Sequence, residues 1–327
     1  MNKSNHTVTE FLLLGFPDVT GFWAIILFIV VLVVYIVTLI LNSMVMVLVS
    51  IKPQLYSPMY FFLQQLSFVE FVFLTTVVPN MLHVIWLEGA TISVRSCITQ
   101  VYLYCASGCT ECHLLTVMAY DRYLAICRPL HYHNIMNTRL QKILVIYCWV
   151  FGFLLTQITL NFLCQLYFCG PYVINHFFCD LAPFVELTCS LKTELKLMIL
   201  IAAVPVMVIP FILVIISYLC VFIKILGISS AKGRKKTFST CSSHLTVVTM
   251  YYGTLNTIYM VPANGDTLTL NKLLSFLYIA ITPLFNPIIY CLRNQEMRAV
   301  MEKLFRVTNN RCNAILKDNC LHASCLG

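Results

Sequence analysis

Apolar residues in this chain gather into seven long runs parted by short polar stretches, at residues 22–49, 59–87, 98–120, 143–163, 197–223, 245–261 and 273–292. Each is long enough, or nearly so, to cross a hydrocarbon layer about 30 Å thick as a helix. Only helices fit runs of this length, because backbone groups in lipid must be satisfied within their own segment. The sixth run is short, and residues 237–244 extend it inward. The first, fourth, fifth and seventh hold no Asp, Glu, Lys or Arg. The pattern predicts an all-α membrane protein: one seven-transmembrane helix bundle over residues 22–292, with no repeat or low-complexity segment.

The flanks follow the same logic. Residues 1–21 are polar and mixed, and the first apolar run is too long for the core of a cleavable signal peptide. The inner links, 50–57, 124–141 and 224–236, are short, and so are the outer ones except 164–196. A loop that long over a compact bundle usually has a task, such as covering a site. Residues 293–307 predict an amphipathic helix on the inner membrane surface. There Met297, Val300, Met301, Leu304 and Phe305 recur at helical spacing, with Arg298, Lys303 and Arg306 between them. The tail, 308–327, is polar and expected to be disordered.

Composition agrees with the pattern: 60% of residues are hydrophobic, 10% charged, and the mean hydropathy is +0.85, more apolar surface than a soluble domain needs. Charge then sets orientation. With the N-terminus outside, Lys3, Arg95, Lys192, Lys196 and Lys272 fall on the outer side, and every other Lys and Arg of the 21 falls inside. The net charge of +8 is thus a topology signal and says nothing about nucleic acid. Two glycosylation sequons, Asn2-Lys3-Ser4 and Asn5-His6-Thr7, lie on the same outer side.

Polar residues inside the spans are costly and carry the candidate chemistry. Asp121, Arg122 and Tyr123 end the third run; Cys97 and Arg122 stand roughly 38 Å apart along a helix, one bilayer crossing. Glu70 and Glu111 lie mid-span without a basic residue in their own helices, so each must bind a proton or find a cation. Of 16 cysteines, Cys97, Cys169, Cys179 and Cys189 lie outside, where disulfides form, and four cysteines allow three connectivities. The cysteines within spans read as small apolar packing. His83, His113 and His244 are isolated and read as packing or hydrogen-bonding residues.

Taken together, the motifs resemble a rhodopsin-like G-protein-coupled receptor, and specifically a vertebrate olfactory receptor. The markers are Pro58-Met59-Tyr60-Phe61-Phe62-Leu63; Met118 through Cys127, followed by Arg128-Pro129-Leu130-His131-Tyr132; Asn175-His176-Phe177-Phe178-Cys179-Asp180; Ser217-Tyr218; Lys236-Thr237-Phe238-Ser239-Thr240-Cys241 with Ser243-His244-Leu245; and Pro283 through Tyr290 with Arg293-Asn294. The resemblance covers about residues 5–306. Leu41, Glu70 and Thr237 depart from the family pattern, where Gly, Asp and Ala are usual, and so does the cysteine-bearing tail.

The resemblance implies a mechanism. Arg122 is held by Asp121 at rest and released as the sixth helix swings out, with Tyr218 and Tyr290 stabilising the open form and Asn286-Pro287 acting as a hinge. The opened inner face would receive a stimulatory heterotrimeric G protein and raise cyclic AMP. The family pattern pairs Cys97 with Cys179, leaving Cys169–Cys189 to close a second ring, and puts Glu70 and Glu111 around an internal sodium-like ion; one shared proton is the alternative. No other cofactor or metal is implied.

The ligand pocket is expected in the outer half of the bundle. Tyr104, Gly108 and Glu111 share one face of the third helix, flanked by Cys105 and Cys109. Tyr252, Asn256 and Tyr259 align on the sixth, and Val206, Phe276 and Ile279 close the sides. Such a cavity suits a small neutral volatile molecule. The expected setting is the plasma membrane, with lipid around the bundle and the C-terminus in the cytoplasm. A transporter or channel would show paired repeats and broken helices, and an enzyme a nucleophile, metal or phosphate motif; none is evident.

Overall fold

The computed structural model describes residues 9–164, 171–181, 183, 187, 192–260, 267–293, 297–300 and 302. Among them are seven long helices: α1 (Phe22–Ile51), α2 (Pro58–Trp86), α3 (Val94–Cys127), α4 (Thr138–Leu163), α5, α6 (Ala231–Met260) and α7 (Thr267–Arg293). Helix α5 runs as Lys192–Ala203 and Ile209–Leu226, joined through a wider π turn at Val204–Val208 that contains Pro205. The spans α1, α2, α4, Leu197–Leu226 and Leu270–Tyr290 are each long and apolar enough to cross a membrane. Helices α3 and α6 are more polar, and α3 is central, packed against α2, α4 and α5.

The local chemistry explains the boundaries. Pro58 opens α2 where its missing N–H costs nothing. Ser93 caps α3 by accepting from the Ser96 amide at 3.1 Å, and Asn137 caps α4 by accepting from Leu140 at 2.9 Å. Helices α3 and α4 approach so closely at Gly152 that a Cβ there would lie 2.6 Å from Thr110 Oγ1 and 2.9 Å from the Ala106 carbonyl. Along α1, Val31, Thr38, Asn42, Val45 and Val49 face inward while Ile29, Val33, Ile36, Ile40 and Val47 are exposed. An exposed apolar face of that extent suits lipid and not water.

Prolines in α7 create a tie that the sequence pattern does not announce. Pro287 has no N–H to give the carbonyl of Pro283, one turn back. Asn42 of α1 supplies the missing donor, its Nδ2 lying 3.2 Å from that oxygen.

The outer end carries a small sheet that the apolar pattern does not announce. Within the polar, mixed N-terminal segment Glu10–Leu13 forms a strand, β1, that pairs antiparallel with β2 (Ala90–Ser93) and parallel with β3 (Val173–Ile174). Phe11 and Leu13 alternate inward and are fully buried, so the strand is held by the core beneath it. Helix α6 continues inward through 237–244, as expected, to Ala231, and α3 continues to Cys127.

Of the surface helix expected over 293–307, residues 297–300 are helical, Met297 is buried, Val300 packs on the core, and exposed Arg298 pairs with Glu302 at 2.9 Å. The rest of that segment, the tail, Asn2, Asn5, Cys169 and Cys189 lie outside the described residues.

Candidate functional site

A roof closes the outer end. The Cys97–Cys179 disulfide, with Cα atoms 5.5 Å apart, ties the top of α3 to the long loop. Gln100 braces the junction: its Oε1 accepts from the Cys179 amide at 2.9 Å and its Nε2 donates to the Thr76 carbonyl at 2.9 Å. Phe178 packs on Tyr104 with centroids 5.1 Å apart, and Phe16 stacks on Phe177 at 5.0 Å. Lys272 of α7 clamps the layers, donating to the Gly15 carbonyl at 2.9 Å and to Asn175 Oδ1 at 2.5 Å. Burial, with the Lys272 charge nearby, pushes His176 down to about 3, so it sits neutral among the phenyl rings.

Below this roof the α3 face opens. A Cβ added at Gly108 would meet nothing within 4 Å, although Gly108 lies mid-helix in the bundle. Tyr251 bounds the space, donating its hydroxyl to the Gly108 carbonyl at 2.8 Å, with Tyr278 6.0 Å from its ring. Tyr104 lies between Phe73 and Phe178, and Tyr252 lies on Phe211 at 4.9 Å. Cys109 turns toward α4, its sulfur 4.0 Å from Thr156 Oγ1. Val206 sits half-buried in the π turn of α5, and Asn256 is half-buried on α6. The Tyr259 side chain lies outside the described residues.

Phe276 and Ile279 are placed differently from expectation. Both line an apolar cavity of about 210 Å³ between α1, α2 and α7, with Val31, Val78 and Met81. Phe276 also meets Phe16 edge-on at 5.9 Å, so it belongs to the roof. The α7 register, set by the Asn42 and Glu70 ties, turns Ile279 toward α1 and α2.

Mid-bundle, Glu70 and Glu111 come together, both buried, around Asn286. The Asn286 amide donates to Glu70 Oε1, and to Glu111 Oε1 at 3.5 Å. Two carboxyls this close in an apolar interior cannot both carry an uncompensated charge.

At the inner end the Asp121 carboxyl accepts from the Tyr132 hydroxyl at 2.8 Å. This corrects the expected Asp121–Arg122 clasp: the two charges interact, but among the described residues they make no direct ion pair. Folding of the inner link brings Tyr132 under α3 and lets it take the oxygen instead. Arg122 Nη2 is buried without a hydrogen-bond partner, as is the Tyr290 hydroxyl, and Arg122 is near enough to Tyr218, Tyr290 and His244 for its charge to act on each. Tyr123 lies lower, lining a groove of about 550 Å³ with Cys220 and Lys224.

Sequence reasoning read His244 as a packing or hydrogen-bonding residue, and it is the second. Its Nδ1 lies 2.6 Å from the Tyr218 hydroxyl, which joins it to a residue expected in the switch. Its neighbours Ser243 and Leu245 had marked the segment, but which face of α6 meets α5 was not readable. Tyr251 and Tyr278 were missed as well.

Residues 31–307 match the family model described as olfactory receptor. The chain is similar to Olfactory receptor 6P1 of Homo sapiens, 41% identical over 302 residues, which is 92% of this chain and 95% of that receptor. It is likewise 42% identical to Olfactory receptor 10A3 of Homo sapiens over 307 residues, 94% of this chain and 98% of that one.

Proposed function

Because the chain belongs to the olfactory receptor family, G-protein-coupled receptors of the plasma membrane and not enzymes, we propose that it is switched on by a small, neutral volatile molecule held below the roof and signals through a stimulatory G protein to raise cyclic AMP. The open space at Gly108, between Tyr104 and Tyr251, is the observation that supports this reading. Its walls are aromatic and thiol-bearing, with a few hydroxyl and amide groups, and burying an unpaired ligand charge there costs several kcal/mol.

A cyclic-AMP reporter screened with a chemically diverse odorant panel tests the reading. Alcohols, aldehydes, ketones and esters are expected to outrank tetraalkylammonium ions and carboxylates of equal size. Asn256→Ala and Tyr252→Phe are expected to lower potency for hydrogen-bonding agonists by roughly two- to tenfold, the worth of one ordinary hydrogen bond. Permanently charged best agonists, or unchanged potency in both variants, would overturn it.

We assign the Glu70–Glu111–Asn286 cluster to one positive charge held between the carboxyls, a proton or a sodium ion. The two carboxyls supply oxygen donors, which suit a hard cation, and the Asn286 amide N–H braces them.

The N-terminus is placed outside and the C-terminus in the cytoplasm, on the strength of the inner bias of Lys and Arg and of a disulfide at the opposite end. An epitope placed before Asn5 is expected to stain intact cells, and one after Phe305 only permeabilised cells. Asn5 should carry glycan. The reverse staining pattern would sink this topology.

A further inference from the structure

The groove between the inner ends of α3 and α5 has no place in the scheme above. Tyr123 and Cys127, one turn apart on α3, form one wall, Cys220, Ile223 and Lys224 of α5 the other, and Ile228 lies at the lower edge. Its volume of about 550 Å³ is that of a ligand cleft. It straddles the membrane boundary, because the fifth apolar run ends at residue 223 and Lys224 follows. Exposed Ile216, Leu219 and Ile223 share one stripe of α5 that leads from the groove toward the middle of the bilayer.

Positive charge gathers at the lower edge. Ser230 caps α6, its hydroxyl accepting from the Gly233 amide at 3.3 Å and its carbonyl from the Arg234 amide at 2.9 Å. Arg234 then reaches back and donates to the Ile228 carbonyl at 3.3 Å. Gly233 permits the approach, since a Cβ there would lie 3.2 Å from Ile228 Cγ2. The N-terminal end of α6, Arg234 and Lys224 therefore flank an apolar, thiol-bearing floor. Residues 122–141 and 224–244 contain no Asp or Glu, and Asp121 is taken by Tyr132. The only ion pair among the described residues is Arg298–Glu302, so none of them neutralises this edge.

We propose that the groove binds an anionic phospholipid of the cytoplasmic leaflet, its phosphate at Lys224 and Arg234 and an acyl chain along the α5 stripe. Charge and apolar surface must be matched together. An acidic protein surface arriving from the cytoplasm reaches the cations but not Ile216 or Leu219, whereas one lipid covers both. Tyr123 follows Arg122 directly, so the lipid touches the residue beside the switch. The leaflet rests on the topology given above; the binding site does not.

The two thiols of the groove report occupancy without any mutation. The full chain is placed in nanodiscs of phosphatidylcholine, or of phosphatidylcholine with phosphatidylserine, and treated briefly with a maleimide. Peptide mass spectrometry reads the labelling rate of Cys127 and Cys220. Phosphatidylserine is expected to slow both about tenfold once it stands at about ten times its dissociation constant, and the protection should fade as ionic strength rises. Lys224→Gln with Arg234→Gln weakens lipid binding by about twenty- to thirtyfold if each cation makes its usual contribution, so most of the protection is lost at the same composition.

Equal labelling rates of the wild type in the two bilayers would overturn the proposal, whatever the variant does. Slowing that persists in the double variant also overturns it, because that is the general effect of a charged surface on thiol reactivity. Protection by soluble glycerophosphoserine in phosphatidylcholine discs would assign the groove to a free anion and not to a lipid. Reversed epitope staining would instead defeat the topology and leave the protection in nanodiscs unchanged.

Discussion

Arg122→Ala is expected to abolish agonist-driven cyclic-AMP responses at matched surface expression while leaving odorant binding measurable. The side chain lies at the inner end of α3, far from the roof and from Gly108, so truncating it removes no ligand contact. Its Nη2 is buried without a partner, next to an equally unpartnered Tyr290 hydroxyl and near the Tyr218–His244 pair. A guanidinium nitrogen in that state gains by meeting an acceptor, which a rearrangement of α6 and α7 or an arriving G protein would supply. A hydrogen bond to a charged group is worth about 1.5–3 kcal/mol, so losing one from the active arrangement shifts the equilibrium by about ten- to a hundredfold. Normal concentration–response curves in the variant would show that the switch is built elsewhere.

Loss of the Cys97–Cys179 bond is the second large effect. The two cysteines are 82 residues apart in sequence, and a cross-link closing a loop of that size constrains the unfolded chain by about 4.5 kcal/mol in the chain-entropy account. The bond also seats the roof, since Phe178 on Tyr104 and the Gln100 brace both depend on where Cys179 stands. Cys97→Ser is expected to remove most receptor from the cell surface and to leave no odorant response from the remainder. Cys179→Ser should be equally severe, and the double variant no worse than either, because both singles break one bond. Surface abundance near wild type, or peptide mapping that recovers Cys97 as a free thiol from active receptor, would refute the linkage.

Much of the architecture was readable because the constraint is severe. Lipid forbids unsatisfied backbone, so apolar run length alone marks the spans, and each of the seven runs falls on one of the long helices to within a residue among the described residues. Asp121-Arg122 marked the inner edge and Glu70 and Glu111 marked mid-bundle chemistry, since an acid in a span needs a partner wherever that partner lies.

What stayed hidden depends on rotation and on loops. Helical spacing puts Tyr104 and Gly108 on one face of α3, but it does not say that Tyr251 rather than Tyr252 reaches the Gly108 carbonyl, nor that Ile279 turns toward α1. Those outcomes follow from long-range ties such as Asn42 to the Pro283 carbonyl, made across 241 residues of sequence.

The sequence by itself determined that seven helices cross a membrane and where the costly polar groups sit within them, because apolar length and charge placement are local properties. Only the tertiary structure decided which partner each polar group takes. Asp121 meets Tyr132 and not Arg122, Lys272 meets Gly15 and Asn175, and Asp180 takes the Leu181 amide. A buried polar group accepts whichever donor or acceptor the packing brings within about 3 Å, and packing is a property of the whole bundle.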